Sequence, residues 1–273
     1  MQETRILNNG YSIPKLGLGV YQSDADTYNA VRFALDAGYR HIDTAAIYEN
    51  EDQVGQAILD SGVPRSEIFI TTKLWNSDMR DHTDGAVERA LLTSLNKLKT
   101  DYADMYLIHW PVKDEYIRCY NILEKFTLDG TIRALGVSNF LKHHLEELLH
   151  KTGVIPVVDQ IETHPYLVND GLLQTLKKYS INLEAWAPLG KGKILSEKIF
   201  TKIGAKYGKT PAQVVIRWHL QRGHIVIPKS VHRERIVENF AVFDFSLTDE
   251  EMTAIAALDK DKRYGSHPDK FKF

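Results

Sequence analysis

The chain has 273 residues, 43% of them apolar, with 36 acidic against 34 basic side chains and a single cysteine, Cys119. That length suits one large α/β unit with a full core, and the near-balanced charge, formally −2, gives no general attraction for nucleic acid or anionic membrane. A lone cysteine allows no intramolecular disulfide, no apolar run nears the ~20 residues of a spanning helix, and Met1 to Asn9 lacks the apolar stretch of a secretory leader, so a cytoplasmic protein is expected; no surface motif demands assembly, so it is expected to be a monomer.

Taken in order, Thr4–Leu7 and Tyr11–Pro14 flank the turn sequence Asn8-Asn9-Gly10 and predict an opening β-hairpin. After it the chain alternates short apolar runs with longer amphipathic segments. The runs are Leu16–Tyr21, Arg40–Thr44, Ile68–Leu74, Ala103–Trp110, Ile132–Ser138, Val157–Ile161, Asn182–Ala187 and Ile225–Lys229. Between them, Thr83–Lys99 places Val87, Ala90, Leu91, Leu95 and Leu98 at helical steps, and His144–His150 and Leu172–Tyr179 repeat the pattern. Lys193–Tyr207, Pro211–Gln221 and His232–Asn239 predict further helices around the last run. A capped helix opens near Ser246–Glu251 and runs to about Leu258. Eight strand-and-helix units predict a closed (β/α)8 TIM barrel, with the hairpin in front and extra helices near the C-terminus. No linker or repeat divides it, so residues 1–273 are expected to form a single domain.

In such a barrel, chemistry gathers where the strands end. The second run leads through His41, Ile42 and Asp43 to a loop bearing Tyr48; Lys73 lies in the third, and His109 and Trp110 end the fourth. An ammonium beside a tyrosine lowers its pKa from ~10, and a carboxylate keeps a buried lysine charged. Asp43, Lys73 and His109 around Tyr48 therefore make a proton-transfer site. Taken singly, Asp43 and Lys73 could be only a buried ion pair and Tyr48 only a loop aromatic; their convergence on successive strand ends argues for chemistry.

The usual cofactor and nucleophile motifs are absent. Gly17-Leu18-Gly19-Val20-Tyr21-Gln22 lacks the third glycine of a dinucleotide fingerprint, Gly136-Val137-Ser138-Asn139-Phe140 lacks the last glycine of a nucleophile elbow, and His143, His144 and His150 form no His-Glu-x-x-His, so no metal is expected. A dinucleotide would instead be held by strand ends. Ser138, Asn139 and Gln160 suit a carboxamide, Trp186 offers a flat face to a nicotinamide ring, and Lys229, Ser230 and Arg235 near a helix start suit a 2′-phosphate. Lys229 and Arg235 could equally be ordinary surface charge.

Together, Gly38-Tyr39-Arg40-His41-Ile42-Asp43-Thr44-Ala45, Thr71-Thr72-Lys73-Leu74-Trp75, Leu107-Ile108-His109-Trp110-Pro111, Gly136-Val137-Ser138-Asn139-Phe140 and Ile227-Pro228-Lys229-Ser230 resemble the aldo-keto reductase superfamily over essentially the whole chain. The resemblance implies NADPH-dependent reduction of small aldehydes and ketones with Asp43, Tyr48, Lys73 and His109 as a catalytic tetrad and Tyr48 as proton donor. It implies cofactor contacts from Gly19, Val20, Asp43, Ser138, Asn139, Gln160, Trp186, Ala187, Leu189, Gly190, Lys229, Ser230, Val231, Arg235, Glu238 and Asn239. Tyr21, Trp75 and Trp110 would join Tyr48 and His109 in lining the substrate pocket. Trp186, where many animal members carry tyrosine, is similar to bacterial and protozoan members such as 2,5-diketo-gluconate reductases, glyoxal reductases and prostaglandin F synthases. The short segments after Trp110 and Leu258 predict an open site and broad specificity. The alternatives are a barrel that binds NADP(H) without catalysis and a phosphate-recognising isomerase.

Overall fold

The computed structural model describes residues 3–273. Strands β1 (Thr4–Ile6) and β2 (Ser12–Pro14) pair antiparallel as the expected hairpin. The barrel strands follow: β3 (Leu18–Gly19), β4 (His41–Asp43), β5 (Phe69–Leu74), β6 (Met105–Ile108), β7 (Leu135–Ser138), β8 (Val158–Glu162), β9 (Asn182–Trp186) and β10 (Ile225–Val226). These eight are parallel and pair in chain order. The ring closes where the first meets the last. Leu16 bridges Val226, Gly19 bridges Lys229, and the amides of Gly17 and Gly19 donate to the carbonyls of Val226 at 2.8 Å and Pro228 at 3.1 Å. This is the (β/α)8 barrel.

The helices between the strands are α1 (Thr27–Ala37), α2 (Glu51–Ser61), α3 (Asn76–Arg80), α4 (Ala86–Lys97), α5 (Tyr116–Leu128), α6 (Lys142–Lys151), α7 (Asp170–Lys178), α8 (Lys198–Tyr207) and α9 (Pro211–Gln221), with α10 (Arg233–Phe240) and α11 (Asp249–Ala256) after the last strand. Local chemistry sets their ends. Gly38 terminates α1 at φ +103°, a conformation costly for any residue with a Cβ. Thr210 and Gln213 form a capping box with Pro211 at the first helical position of α9, and Thr248 and Glu251 form another on α11. The predicted helix over 193–207 begins only at Lys198. Gly190, Lys191 and Gly192 all take positive φ and fold that stretch into tight turns, and the buried helical spacing starts with Phe200 and Ile203.

Apolar side chains pack the strands' outer faces against the helices, as with Ile42, Ile70 and Ile108. The hairpin stoppers the end where the strands begin: Leu7 and Ile13 pack with Phe69, Met105, Val158 and Ile225. Only the opposite end is left for a site. No helix among the described residues is long and apolar enough to cross a membrane.

Candidate active site

Along a strand, alternate side chains face the barrel interior. His41 and Asp43, Thr71 and Lys73, Gln160 and Glu162, and Glu184 and Trp186 therefore share that interior in steps of two. The fully buried Lys73 ammonium donates to both Asp43 oxygens at 2.8 Å and to the Thr44 carbonyl at 2.7 Å. Its charge is thus matched by one carboxylate and its three N–H bonds are all used. Burial raises the Asp43 carboxyl against the opposing pull of Lys73 and Gln160.

Tyr48 ends a short 3-10 turn after β4 and is half-buried above this pair. Lys73 Nζ lies 5.1 Å from its ring centre. The His109 ring packs edge-on at 5.7 Å, and the Tyr21 ring lies tilted against Tyr48 at 5.0 Å. All four tetrad residues are brought together. The expected direction of the tyrosine's pKa is corrected, however: burial, then the negative charge of Asp43, then Tyr21, hold Tyr48 well above an ordinary phenol. The physical reason is that Lys73 spends its ammonium on Asp43 and Thr44 and not on the phenol oxygen. A tyrosine so placed stays protonated. His109 is held well below an ordinary imidazole by burial and by Lys73, so it is neutral, and its Nδ1 makes no hydrogen bond among the described residues.

The neighbouring strand ends form a second connected set. Trp186 Nε1 donates to Asn139 Oδ1 at 2.9 Å; Asn139 Nδ2 donates to the His109 carbonyl and to Ser138 Oγ, and Ser138 Oγ donates to the Gln160 carbonyl. Gln160 Nε2 donates to Asp43 Oδ2 at 2.7 Å and to Glu184 Oε2 at 3.0 Å, tying this set to the tetrad. Asn139 and Ala187 hold φ of +63° and +46°, strained values that concentrate at functional sites. After Trp186 the backbone turns through Ala187, Leu189 and Gly190, whose amide donates to the Ala187 carbonyl. Gly19 and Val20 lie on the opposite flank, with the Val20 amide donating to the Asp43 carbonyl.

Lys229 sits on the closure seam and is exposed; Ser230 beside it is buried, and Val231 leads into α10. Arg235 is exposed on the first turn of that helix. Neither Lys229 nor Arg235 pairs with a carboxylate among the described residues. Further along α10, Asn239 is buried, and the Glu238 carboxylate accepts from Thr210 Oγ1 at 2.7 Å, which commits it to the cap of α9.

At the mouth, Trp75 packs on His109 with ring centres 5.1 Å apart, and Trp110 lies beside it. The tail supplies what the sequence reading passes over. Phe273 stacks on Trp75 at 5.7 Å and meets Trp110 edge-on at 5.1 Å, while Phe271 meets Trp110 at 5.0 Å. Its mouth is therefore walled by aromatic rings on the side expected to be open. His41, Glu162 and Glu184 are likewise additions, and the two-residue alternation that marks Asp43 and Gln160 could have found them.

His143, His144 and Asp269 lie close enough to suggest a metal cluster. The hydrogen bonds argue otherwise. His144 Nδ1 accepts the Leu141 amide, so its proton is on Nε2, which faces Asp269 Oδ1 at 3.3 Å as a donor.

This geometry agrees with comparisons to known proteins. The model of the aldo/keto reductase family matches residues 15–260. A glyoxal reductase of Bacillus subtilis is 47% identical over 275 residues, covering 100% of this chain and 99% of its own. A 9,11-endoperoxide prostaglandin H2 reductase of Trypanosoma cruzi is 49% identical, covering 97% and 94%. Among solved structures, a variant of Gox0644 in complex with NADPH is 42% identical, covers the whole of both chains and superposes with a TM-score of 0.94. The chain belongs to the aldo/keto reductase family and is an oxidoreductase.

Proposed function

We propose that this chain, acting as a single barrel domain, uses NADPH to reduce small aldehydes and ketones, with Tyr48 as the proton donor. The observation that carries the reading is the Lys73–Asp43 pair beneath Tyr48, with the neutral His109 ring facing the same phenol.

The residues fit the cofactor. Gln160 spends its amide nitrogen on Asp43 and Glu184, which leaves Oε1 as an acceptor for a carboxamide N–H. Trp186 is held by its edges and offers a face to a planar ring. Lys229 and Arg235, unpaired and near the start of α10, suit a 2′-phosphate. When bound, NADPH supplies the hydride. Tyr48, protonated because burial and Asp43 raise it, gives its proton to the carbonyl oxygen as negative charge develops there. Lys73, held by Asp43 and Thr44, stands 5.1 Å from the centre of the Tyr48 ring and fixes the floor on which the phenol rests. His109, neutral, orients the carbonyl oxygen by hydrogen bonding. Tyr21, Trp75, Trp110, Phe271 and Phe273 wall the mouth with aromatic rings, which suits many small carbonyl compounds and supports broad specificity.

The test follows NADPH oxidation by absorbance with methylglyoxal, phenylglyoxal, nitrobenzaldehyde and a diketo sugar acid. Tyr48→Phe should fold, bind NADPH and lose turnover by ~10²–10⁴-fold. Near-normal turnover in that variant would remove Tyr48 from the mechanism.

A further inference from the structure

The indole of Trp186 is pinned from two sides, and only one belongs to the barrel. On the barrel side, Asn139 Oδ1 accepts from Nε1. On the other side lies the tail, at Gly265. A Cβ built on Gly265 would stand 2.3 Å from Trp186 Cη2 and 3.1 Å from Cζ3, so the backbone itself presses on the edge of the ring. This glycine is not one of the positive-φ positions, so its need is for space and not for an unusual backbone.

The tail is held there by a buried carboxylate. Glu162, fully buried at the end of β8, accepts the amides of Tyr264 at 2.6 Å and Gly265 at 3.0 Å, and pairs with His164 Nε2 at 3.1 Å. Burial alone would raise its carboxyl, but His164 and the two amides outweigh it and hold Glu162 below the ordinary carboxylate range. Tyr264 then packs over the loop that follows Trp186: a Cβ on Gly190 would lie 3.1 Å from its Cε2. The same tail continues to Phe271 and Phe273 at the pocket mouth.

We propose that Glu162 and Gly265 are positioning residues that clamp the tail against Trp186 and so fix the plane on which the nicotinamide ring rests. The inference rests on the NADPH reading above and deepens it. It makes the tail part of the cofactor platform as well as a wall of the substrate pocket. A methyl group at residue 265 must displace an indole that Asn139 holds at its far end, and tilting the ring spoils the stacked face while leaving the phosphate end of the site untouched.

The experiment measures equilibrium binding of two probes to the full chain: NADPH, which reaches Trp186, and 2′,5′-ADP, which carries the 2′-phosphate but no nicotinamide. Gly265→Ala should weaken NADPH binding about tenfold, the equivalent of one lost ring contact, with 2′,5′-ADP unchanged. Glu162→Gln should shift NADPH in the same direction. In a Trp186→Phe background, where the ring has no Cη2 to strike, Gly265→Ala should cost nothing further. Unchanged NADPH binding in Gly265→Ala, equal weakening of both probes, or the same penalty persisting in the Trp186→Phe background would each overturn the clamp. A wild-type chain that binds neither probe would sink the cofactor reading itself, and the clamp with it.

Discussion

Replacing Lys73 with methionine removes the lysine ammonium from the barrel interior while roughly keeping the side chain's length. Lys73 is fully buried, Asp43 is 2% exposed, and the ammonium makes three hydrogen bonds of 2.7–2.8 Å. In Lys73→Met, Asp43 keeps only Gln160. Stranding a buried carboxylate in this way costs ~3–5 kcal/mol. For a domain of this size that is a fall in Tm of roughly 6–20 °C. The sign of the pH dependence follows from burial. Without Lys73, desolvation alone raises the Asp43 carboxyl above its unfolded value, so the folded variant holds a proton that the unfolded chain releases. Its stability then falls as pH rises, and the gap to wild type is wider at about pH 8 than at about pH 5. Thermal melts of wild type, Lys73→Met and Asp43→Asn/Lys73→Met at both pH values check this. The double variant should recover most of the loss, because neither charge is left alone. A single variant within about 1 kcal/mol of wild type at the higher pH, against the ~3–5 kcal/mol expected, would refute the reasoning, as would a double variant less stable than the single.

Burial, with Asp43 close by, pushes the Glu184 carboxyl up to about 8 from an ordinary 4.5. The folded chain therefore binds a proton that the unfolded chain has lost, and stability drains away as pH climbs through that window by up to ~1.4 kcal/mol per unit. Glu184→Gln should flatten this slope, read as the difference between variant and wild type in denaturant melts; parallel slopes would show that Glu184 is ionised throughout. If Lys229 holds the 2′-phosphate as proposed, Lys229→Ala should weaken NADPH binding about tenfold, the loss of one charge-assisted contact, while leaving NADH binding unchanged. An equal loss for both nucleotides would place Lys229 elsewhere than at the 2′-phosphate.

The barrel and the tetrad are legible because each rests on short-range pattern. Each of the eight apolar runs overlaps one strand, most of them running longer than the paired residues, and Asp43, Lys73 and His109 stand at or just past the ends of those strands, a position that topology alone brings to one face. The phenol's electrostatics are not legible in that way. Whether Lys73 acts on Tyr48 or on Asp43 depends on where three N–H bonds point, and composition does not carry that. Glu184 escapes because it faces inward two residues before the end of β9, and Glu162 because the expected run stops at Ile161, one residue short of the end of β8. The tail escapes for a different reason. Asp259–Phe273 has no periodicity, and its path is set by backbone amides reaching Glu162, about a hundred residues away in sequence.

The seam that closes the barrel also governs when the protein can become itself. Gly19 is among the first strand residues to leave the ribosome and Lys229 among the last, yet they must lie side by side before the ring has no free edge. Until then the growing chain presents an open parallel sheet whose first strand lacks a neighbour on one side, the kind of exposed edge on which nascent chains stick to one another. Closure thus waits until the last barrel strand has been made, and Lys229, the residue read as a phosphate ligand, sits on that junction. On that reading, the nucleotide would brace the joint that is made latest, and a cell rich in it would shield newly made copies as well as supply finished ones.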